Sequence, residues 1–359
     1  MMINVLFIAR ATLYESPGGD TVQIIKTAEG LRKLNISVDI GLSSETFDYQ
    51  KYDIVHFFNI IRPADILYHF NKSKRTVIST IFVDYTETEI KTSSAFRAIL
   101  TKVLGGDFME YLKAVSKAIL GKEKVRSNSY LFKGQFNSMK YLYKNADALL
   151  PNSYSEMSRL QKKFGKTKAL LQKVVNAVEP IDNIEPYLKY KDSIVCIGRI
   201  ERRKNQLHLI KAVNNLDISC YIIGKPALND YKYYEMCKKE AGDNVFFIEA
   251  LPQLEVYSIM KAARVHVLPS WFETTGLVSL EAAYYGCNIV ITNKGDQEEY
   301  FGKNAFYCEP QNVESIKNAI LQAYEAPFSN EFKNIISQQY HWNKTAEQTK
   351  ECYLKLLKV

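Results

Sequence analysis

The stretch Pro269-Ser-Trp-Phe-Glu-Thr-Thr-Gly-Leu-Val-Ser-Leu-Glu281 decides how the rest of the chain is read. It follows the apolar run Val265–Leu268, and its second half has the pattern of a helix, Leu277–Tyr285. A strand therefore ends at Leu268, a loop carries Glu273 and Gly276, and a helix starts at Leu277. A continuous apolar strand followed by a loop and a helix is one repeat of a parallel α/β sheet covered on both faces. The first turn of such a helix has free backbone N–H groups and a positive dipole end, which suit a phosphate, and Gly276 lets the backbone approach closely. Glu281 lies one turn in, on the same face as Leu277, and can accept hydrogen bonds from hydroxyls just beyond that phosphate. Glu273 is then free to meet another hydroxyl-bearing group on the loop side. The plainer alternative is a helix with one loop glutamate and one solvated glutamate.

The same repeat extends in both directions. Strands are expected at Ile194–Ile197, 219–223, Val245–Ile248, Val265–Leu268, Asn288–Ile291 and 305–308. Between them fall helices at Gln206–Val213, Tyr231–Glu240, 254–262, Leu277–Tyr285 and 313–323. An earlier series has strands at Ile3–Ala9, 37–42, 53–57, 76–80 and Ala148–Leu150 and closes near 173–178. Its first helix, 20–34, turns Val22, Ile25, Ala28, Leu31 and Leu34 to one face, with Asp20 and Gln23 as a capping box and Asn35 as the stop. A polar, proline-containing stretch, 179–192, separates the two series as a linker. The expected fold is α/β, two Rossmann-like doubly wound domains facing across a cleft, where ligands of such sheets bind.

A second motif lies in the same domain as the opening stretch. Gly198-Arg199-Ile-Glu-Arg-Arg-Lys204-Asn205 follows the first strand of the second series, so its cations emerge at the same sheet edge as the Glu273 loop. Arg199 offers a planar fork and Lys204 a point charge, both suited to a diphosphate. Arg202 and Arg203 read as solvated surface. Paired cations and a helix N-terminus can neutralise a departing diphosphate without a metal, and the chain contains no Asp-x-Asp.

Together, Gly198-Arg199 with Lys204-Asn205, and Glu273 and Glu281 separated by seven residues, resemble the donor domain of the family 4 retaining glycosyltransferases of the GT-B fold. Other landmarks agree in order along nearly the whole chain. Gly18-Gly19 resembles the family's N-terminal glycine loop, Asp53-Ile-Val-His56 its third-strand motif, and Ala146-Asp147 with Ser153 its last N-domain helix and strand. Asn176-Ala-Val-Glu179 is similar to the family's hinge, and His341-Trp342 with Tyr353 to its closing helix.

The resemblance implies an N-terminal acceptor-side domain over 1–180, a nucleotide-sugar domain over 181–340 and a helix over 341–359 crossing back to the first domain. Arg199 and Lys204 would bind the diphosphate, Glu281 the ribose and Glu273 the donor sugar. Gly198, Thr275, Gly276 and Leu277 would complete the donor contacts, with Gly276 and Leu277 presenting backbone N–H groups, and Gly18 and Gly19 would approach from the other domain. Transfer would retain configuration, with no metal and no cofactor beyond the nucleotide-sugar donor. One departure stands out: many members carry a histidine after the fourth N-domain strand, where this chain reads Ser79-Thr-Ile-Phe-Val-Asp84. Phe82 or Val83 holds that place, and Asp84 is the nearest polar candidate for a catalytic role. His56, in an apolar strand, reads as a satisfied structural histidine.

Composition bounds these readings. The chain has 359 residues, 47% hydrophobic and 24% charged, which excludes disorder and low complexity. The formal net charge of +8 is local: 91–145 holds 11 Lys/Arg against 3 acids, while the remainder balances at 36 against 36. That segregation points to a local anionic partner and away from general nucleic-acid binding. Within 91–145, Phe108, Leu112, Val115 and Ile119 project to one helix face, with Lys113 and Lys117 opposite. Such a basic amphipathic helix is compatible with an anionic membrane surface; the alternative is an insertion whose apolar stripe packs on its own domain while its lysines are solvated.

The six scattered cysteines argue against a disulfide framework or zinc site and fit a reducing cytoplasm, with a peripheral position at the inner face of the membrane if the basic segment binds there. Residues 1–9 lack a basic leader region and read as a strand rather than a signal peptide. The resulting expectation is transfer of a sugar to a hydroxyl of a glycan or lipid-linked acceptor in polysaccharide or glycoconjugate synthesis. A nucleotide-sugar 2-epimerase of the same fold and a non-catalytic nucleotide-sugar-binding subunit are the alternatives. A Rossmann dehydrogenase is disfavoured because no G-x-G-x-x-G follows either opening strand.

Overall fold

The computed structural model describes residues 3–84, 86–92, 95–120, 125–228 and 230–358, so Lys122, Glu123 and Lys124 of the basic segment lie outside the described residues. The side chains of Arg97, Lys117 and Ile119 are likewise outside them. The chain divides into two compact units, Met1–Ala177 with Trp342–Val359, and Val178–His341.

The N-terminal unit is built on six parallel strands: β1 (Ile3–Ala9), β2 (Ile36–Leu42), β3 (Ile54–Phe58), β4 (Thr76–Ser79), β5 (Ala148–Leu150) and β6 (Leu170–Leu171). Their order is β2-β1-β3-β4-β5-β6. Strand alternation sends Val5, Phe7 and Ala9 into one core and Leu6 and Ile8 into another, so β1 is buried on both faces. This explains why its sequence is a continuous apolar run. The sixth strand is the two-residue β6, earlier than the expected 173–178, although the parallel bonding runs on past it through Gln172 N to Leu149 O and Val174 N to Pro151 O.

Helix α1 (Gly19–Lys33) begins one residue earlier than expected, with Gly18 as N-cap. The Asp20–Gln23 capping box does not form. Asp20 is held instead by Arg10 at 2.7 Å, and Gln23 is buried, its Nε2 donating to Asn152 Oδ1 at 3.1 Å. The buried face runs through Ile24, Ala28 and Leu31, while Val22 is exposed. A polar hub at Asn152 thus outweighs the apolar spacing that placed Val22 inward. The remaining helices of this part are α2 (Pro63–Phe70), α3 (Thr86–Thr92), α4 (Ala95–Leu104), α5 (Gly106–Ile119), α6 (Asn128–Asn145) and α7 (Tyr154–Phe164).

Helices α3 to α6 fill the basic segment. In α5, Lys113 pairs with Glu89 of α3 at 2.8 Å and with Glu110 at 2.5 Å, while Phe108 and Leu112 are exposed. Tyr111 and Ala114 make the packing contact with the core instead. Of the apolar stripe, Phe108 and Leu112 are thus exposed and Val115 is half-buried, while the side chain of Ile119 lies outside the described residues. Ile99, Val103 and Leu104 of α4 and Phe132 of α6 are exposed as well. Both described acids of the segment are engaged, Asp107 with Lys163 at 2.9 Å and Glu110 with Lys113, whereas Lys91, Lys102, Lys133 and Lys140 are exposed. The segment presents an apolar and cationic surface. Among the described residues no helix is long and apolar enough to cross a membrane.

The C-terminal unit repeats the design with β7 (Ile194–Ile197), β8 (Cys220–Ile223), β9 (Val245–Ile248), β10 (Val265–Leu268), β11 (Asn288–Ile291) and β12 (Phe306–Tyr307), all parallel. Helices α8 (Gln206–Val213), α9 (Tyr231–Glu240), α10 (Gln253–Ala262), α11 (Leu277–Tyr285), α12 (Gln297–Phe301), α13 (Val313–Glu325) and α14 (Asn330–Gln339) belong to this unit. Strand order is β12-β11-β10-β7-β8-β9. The chain runs outward from β7 to β9, then restarts beside β7 with β10. The topological switch point, where open α/β sheets bind ligands at their carboxyl ends, therefore lies between β7 and β10. Both donor motifs of the sequence are the loops that leave these two strands.

The chain then rejoins the N-terminal unit as α15 (Trp342–Leu357), which packs along α1: a Cβ on Gly30 would fall 2.6 Å from that of Ala346. Tyr353 Oη is hydrogen-bonded to His56 Nδ1 at 2.6 Å, and His56 Nε2 to Ser79 Oγ at 2.9 Å. Burial pushes the His56 pKa down to about 3, so this imidazole is neutral and structural. All six cysteines are free and buried.

Candidate active site

The loops after β7 and β10 are stitched together before any ligand is considered. Asn205, buried and left-handed at φ 62°, donates from Nδ2 to Pro269 O at 3.1 Å and Pro310 O at 2.6 Å. Trp271 N donates to Arg203 O at 2.9 Å, and Arg203 Nη1 to Phe272 O at 3.0 Å. A third loop, after β11, joins through Glu273 N to Lys294 O at 3.3 Å and Asp296 N to Glu273 O at 3.0 Å. Glu273 is thus held through backbone on both sides, which fixes its carboxylate.

That carboxylate is buried, and two cations converge on its Oε1: Lys204 Nζ at 2.6 Å and Arg203 Nη1 at 3.1 Å. Burial would raise the Glu273 pKa, but Lys204 and Arg203 outweigh it and hold it at about 2. Glu273 is therefore ionised at any working pH. It is also not the unengaged loop carboxylate expected from sequence, because its charge is matched by two cations. Arg203, read from sequence as solvated surface, is a correction of the same kind. It is half-buried and bridges Glu273 to Glu201, whose Oε1 lies 2.8 Å from Arg203 Nη2. Arg199 Nη1 sits 3.9 Å from Glu201 Oε2 with its side chain 45% exposed. Three cations and two carboxylates leave a net +1 at the switch point. Sequence reasoning missed Arg203 and Glu201 because a run of charges between a strand and a helix carries no periodic signal. Arg202 is half-buried too, paired with Asp230 at 2.8 Å and set over the Tyr233 ring.

Gly276 caps α11 with φ 71° and ψ 59°, a left-handed conformation that favours glycine, and no side chain caps the helix. Ser279 N and Leu280 N bond back to Gly276 O, so it is the first N–H groups of the helix, at Leu277 and Val278, that a ligand can take. Glu281, one turn on, accepts from Tyr257 Oη at 3.0 Å and from Gln253 Nε2 at 3.4 Å. Burial raises the Glu281 pKa to about 7, with those two hydrogen bonds opposing the rise. The site thus offers two carboxylates of opposite character within one loop and helix.

The structure brings Gly198, Lys204, Glu273, Thr275, Gly276, Leu277 and Glu281 onto the loops and helix at one switch point, with Arg199 at its exposed margin. Gly18, Gly19 and Asp84 lie in the other unit. Gly18 and Gly19 open α1, beside the β1 end of that sheet. Asp84 accepts from Thr86 N at 3.0 Å at the start of α3. Burial works against its ionised form, but the Thr86 hydrogen bonds and the charges of Lys163 and Arg159 prevail and lower its pKa. Phe82, at the place where the resembled family carries histidine, is buried, its N–H donating to Glu156 at 2.7 Å.

Comparison with known proteins agrees with this geometry. Residues 180–342 match the family model described as Glycosyl transferases group 1. Glycogen synthase of Mycobacterium tuberculosis is 24% identical over 60% of this chain and 55% of its own length, and D-inositol 3-phosphate glycosyltransferase of Corynebacterium urealyticum is 27% identical over 59% and 57%. The chain thus spans little more than half the length of these relatives. An N-acetylgalactosamine-N,N'-diacetylbacillosaminyl-diphospho-undecaprenol 4-alpha-N-acetylgalactosaminyltransferase of Campylobacter jejuni is 21% identical over 82% of this chain and 83% of its own. Among solved structures, sucrose-phosphate synthase of Thermosynechococcus elongatus superposes with a TM-score of 0.74 at 14% identity over 99% of both chains. Anabaena HepE, in complex with UDP and glucose, superposes at 0.69 and 15% identity over 98% of this chain and 100% of its own. The fold is that of the GT-B glycosyltransferases.

Proposed function

We infer that this chain, whose residues 180–342 match the group 1 glycosyl transferases, transfers a sugar from a nucleotide-diphosphate sugar to a hydroxyl of a glycan or lipid-linked acceptor. The observation that carries the reading is the switch point between β7 and β10, where an uncapped helix N-terminus, a net positive cluster and a tunable carboxylate occur together. The diphosphate takes the Leu277 and Val278 N–H groups and the charge of Lys204 and Arg199. Glu281 accepts from the ribose hydroxyls, and Glu273 from a hydroxyl of the donor sugar.

In the reaction the bond between the anomeric carbon and the diphosphate oxygen breaks. A bond from the same carbon to the acceptor oxygen forms, and the acceptor proton passes to the departing diphosphate on the same face, so configuration is retained. The developing negative charge on the diphosphate meets fixed cations and N–H dipoles without a metal. Glu273, kept ionised by Lys204 and Arg203, is placed to stabilise positive charge on the sugar ring.

A lipid-linked acceptor is supported by two facts. The Campylobacter relative is named for an undecaprenol-diphosphate-linked substrate, and α4 to α6 present exposed apolar side chains beside exposed lysines with their acids engaged elsewhere. Such a surface suits an anionic bilayer and supports the reading of an enzyme acting at a membrane face in polysaccharide or glycoconjugate synthesis.

Thermal shift with UDP-, GDP- and ADP-sugars tests the reading, since a bound donor raises the melting temperature by mass action. Stabilisation by one class is expected, and none by any class would overturn it. Isomerisation of the nucleotide sugar incubated alone would instead identify an epimerase.

A further inference from the structure

We propose that Gln297 reads the transferred sugar, its side-chain amide pairing with two adjacent hydroxyls of the donor; this rests on the donor site described above. Gln297 is the first residue of α12 and is fully buried, yet neither its Nε2 nor its Oε1 has a hydrogen-bond partner among the described residues. Buried amides in folded proteins are almost always paired, and an unpaired end is costly to keep out of water. A glutamine kept for packing alone would be better replaced by an apolar side chain of the same length.

Its position ties this unmet capacity to the donor loop. Backbone pairing of Glu273 with Gly295 brings the loop after β11 against the loop that leads into α11, so closely that a Cβ on Gly295 would fall 1.8 Å from Glu273 O. Two residues on, Gln297 is delivered to the N-cap of α11, where its Nε2 lies 2.9 Å from the point a Cβ on Gly276 would occupy. Thr275 Oγ1, in the same loop, is likewise buried without a partner. Two side chains whose buried polar atoms have no partner among the described residues, Thr275 and Gln297, thus adjoin the start of the helix.

The chemistry of the amide selects the ligand. A phosphate only accepts, so it would engage Nε2 and leave Oε1 unmet. A pair of neighbouring hydroxyls satisfies both ends, one oxygen accepting from Nε2 and the other donating its proton to Oε1. Of the parts of a nucleotide sugar, the ribose is matched by Glu281 one turn into α11. Between the base edge and the transferred sugar, both of which can satisfy an amide, the pairing of the Gln297 loop with Glu273 favours the sugar. Unchanged nucleoside-diphosphate affinity in the variants separates the two.

The test compares wild type with Gln297→Met and Gln297→Leu, measuring the melting temperature without ligand and the affinities for the nucleotide sugar and for its nucleoside diphosphate. Gln297→Met is expected to keep or raise the unliganded melting temperature, to leave diphosphate affinity unchanged and to weaken nucleotide-sugar binding about tenfold, the loss of one or two hydrogen bonds. Gln297→Leu, which likewise removes both polar ends and adds no charge, is expected to show the same selective loss and serves if the methionine variant does not fold. Undiminished nucleotide-sugar affinity in the folded variant overturns the proposal, as does equal weakening of diphosphate binding. Failure of wild type to bind any nucleotide or nucleotide sugar overturns the donor-site reading and this proposal with it.

Discussion

Lys204 Nζ lies 2.6 Å from Glu273 Oε1, with side chains only 13% and 8% exposed, so the loop after β7 and the loop after β10 are joined by a largely desolvated ion pair. Removing one partner of such a pair leaves the other charged and poorly compensated. Lys204→Met is expected to destabilise the C-terminal unit by about 1–3 kcal/mol and to abolish transfer. Because the Glu273 pKa is held at about 2 against an ordinary 4.5, its contribution to stability is present above pH 4.5 and is lost as pH falls towards 2. Weakening the cationic partner raises that pKa, so acid unfolding of Lys204→Met should begin at higher pH. Melting curves across pH 2–6 check this.

Glu281 makes the opposite prediction. Its pKa is raised from 4.5 to about 7, so between those values the folded protein binds more protons than the unfolded chain and stability falls as pH rises. Glu281→Gln should flatten the melting temperature against pH in that window. Tyr257→Phe, which removes a hydrogen bond to the ionised form, should move the fall to higher pH.

Arg203 should behave as a site residue although it sits in a run of surface charges. Arg203→Ala removes hydrogen bonds to Glu273, Phe272 O and Glu201, whereas Arg202→Ala removes only the pair with Asp230 among its ion pairs described above. The first is expected to lower kcat/KM at least tenfold and the second to change it less than twofold, as measured by steady-state kinetics with the identified donor.

How much of this was legible beforehand depended on burial. Strands such as Ile194–Ile197 and Val265–Leu268, buried on both faces, are continuous apolar runs and were placed to the residue. β6, two half-buried residues, has no such signature and was placed too late in the chain. The donor glutamates and Lys204 were found through their spacing. Arg203 was missed because its function comes from contacts 70 residues away. For helix α5, helical projection says which residues share a face but not how that face sits on the domain, where Phe108 and Leu112 are exposed and Val115 is half-buried.

The exposed apolar side chains of α5 and α6 supply a fourth prediction. Phe108→Ser with Leu112→Ser and Phe132→Ser removes exposed apolar area while leaving the core contacts of Tyr111 and Ala114. Stability should change little, and co-sedimentation with anionic vesicles should drop severalfold. Wild-type binding should weaken with salt and be absent with neutral vesicles. Binding that is the same in the triple variant, or dimerisation in place of lipid binding, would contradict the membrane assignment.

The central claim is that the switch point between β7 and β10 binds a nucleotide-diphosphate sugar through its cations and the start of α11. Isothermal titration of UDP-, GDP- and ADP-sugars into wild type and Lys204→Met, in the presence of a chelator, tests it most directly. Saturable binding of one nucleotide class to wild type, weakened at least tenfold in the folded variant, is the predicted result. Absence of binding to wild type, or equal affinity in both proteins, would contradict the account.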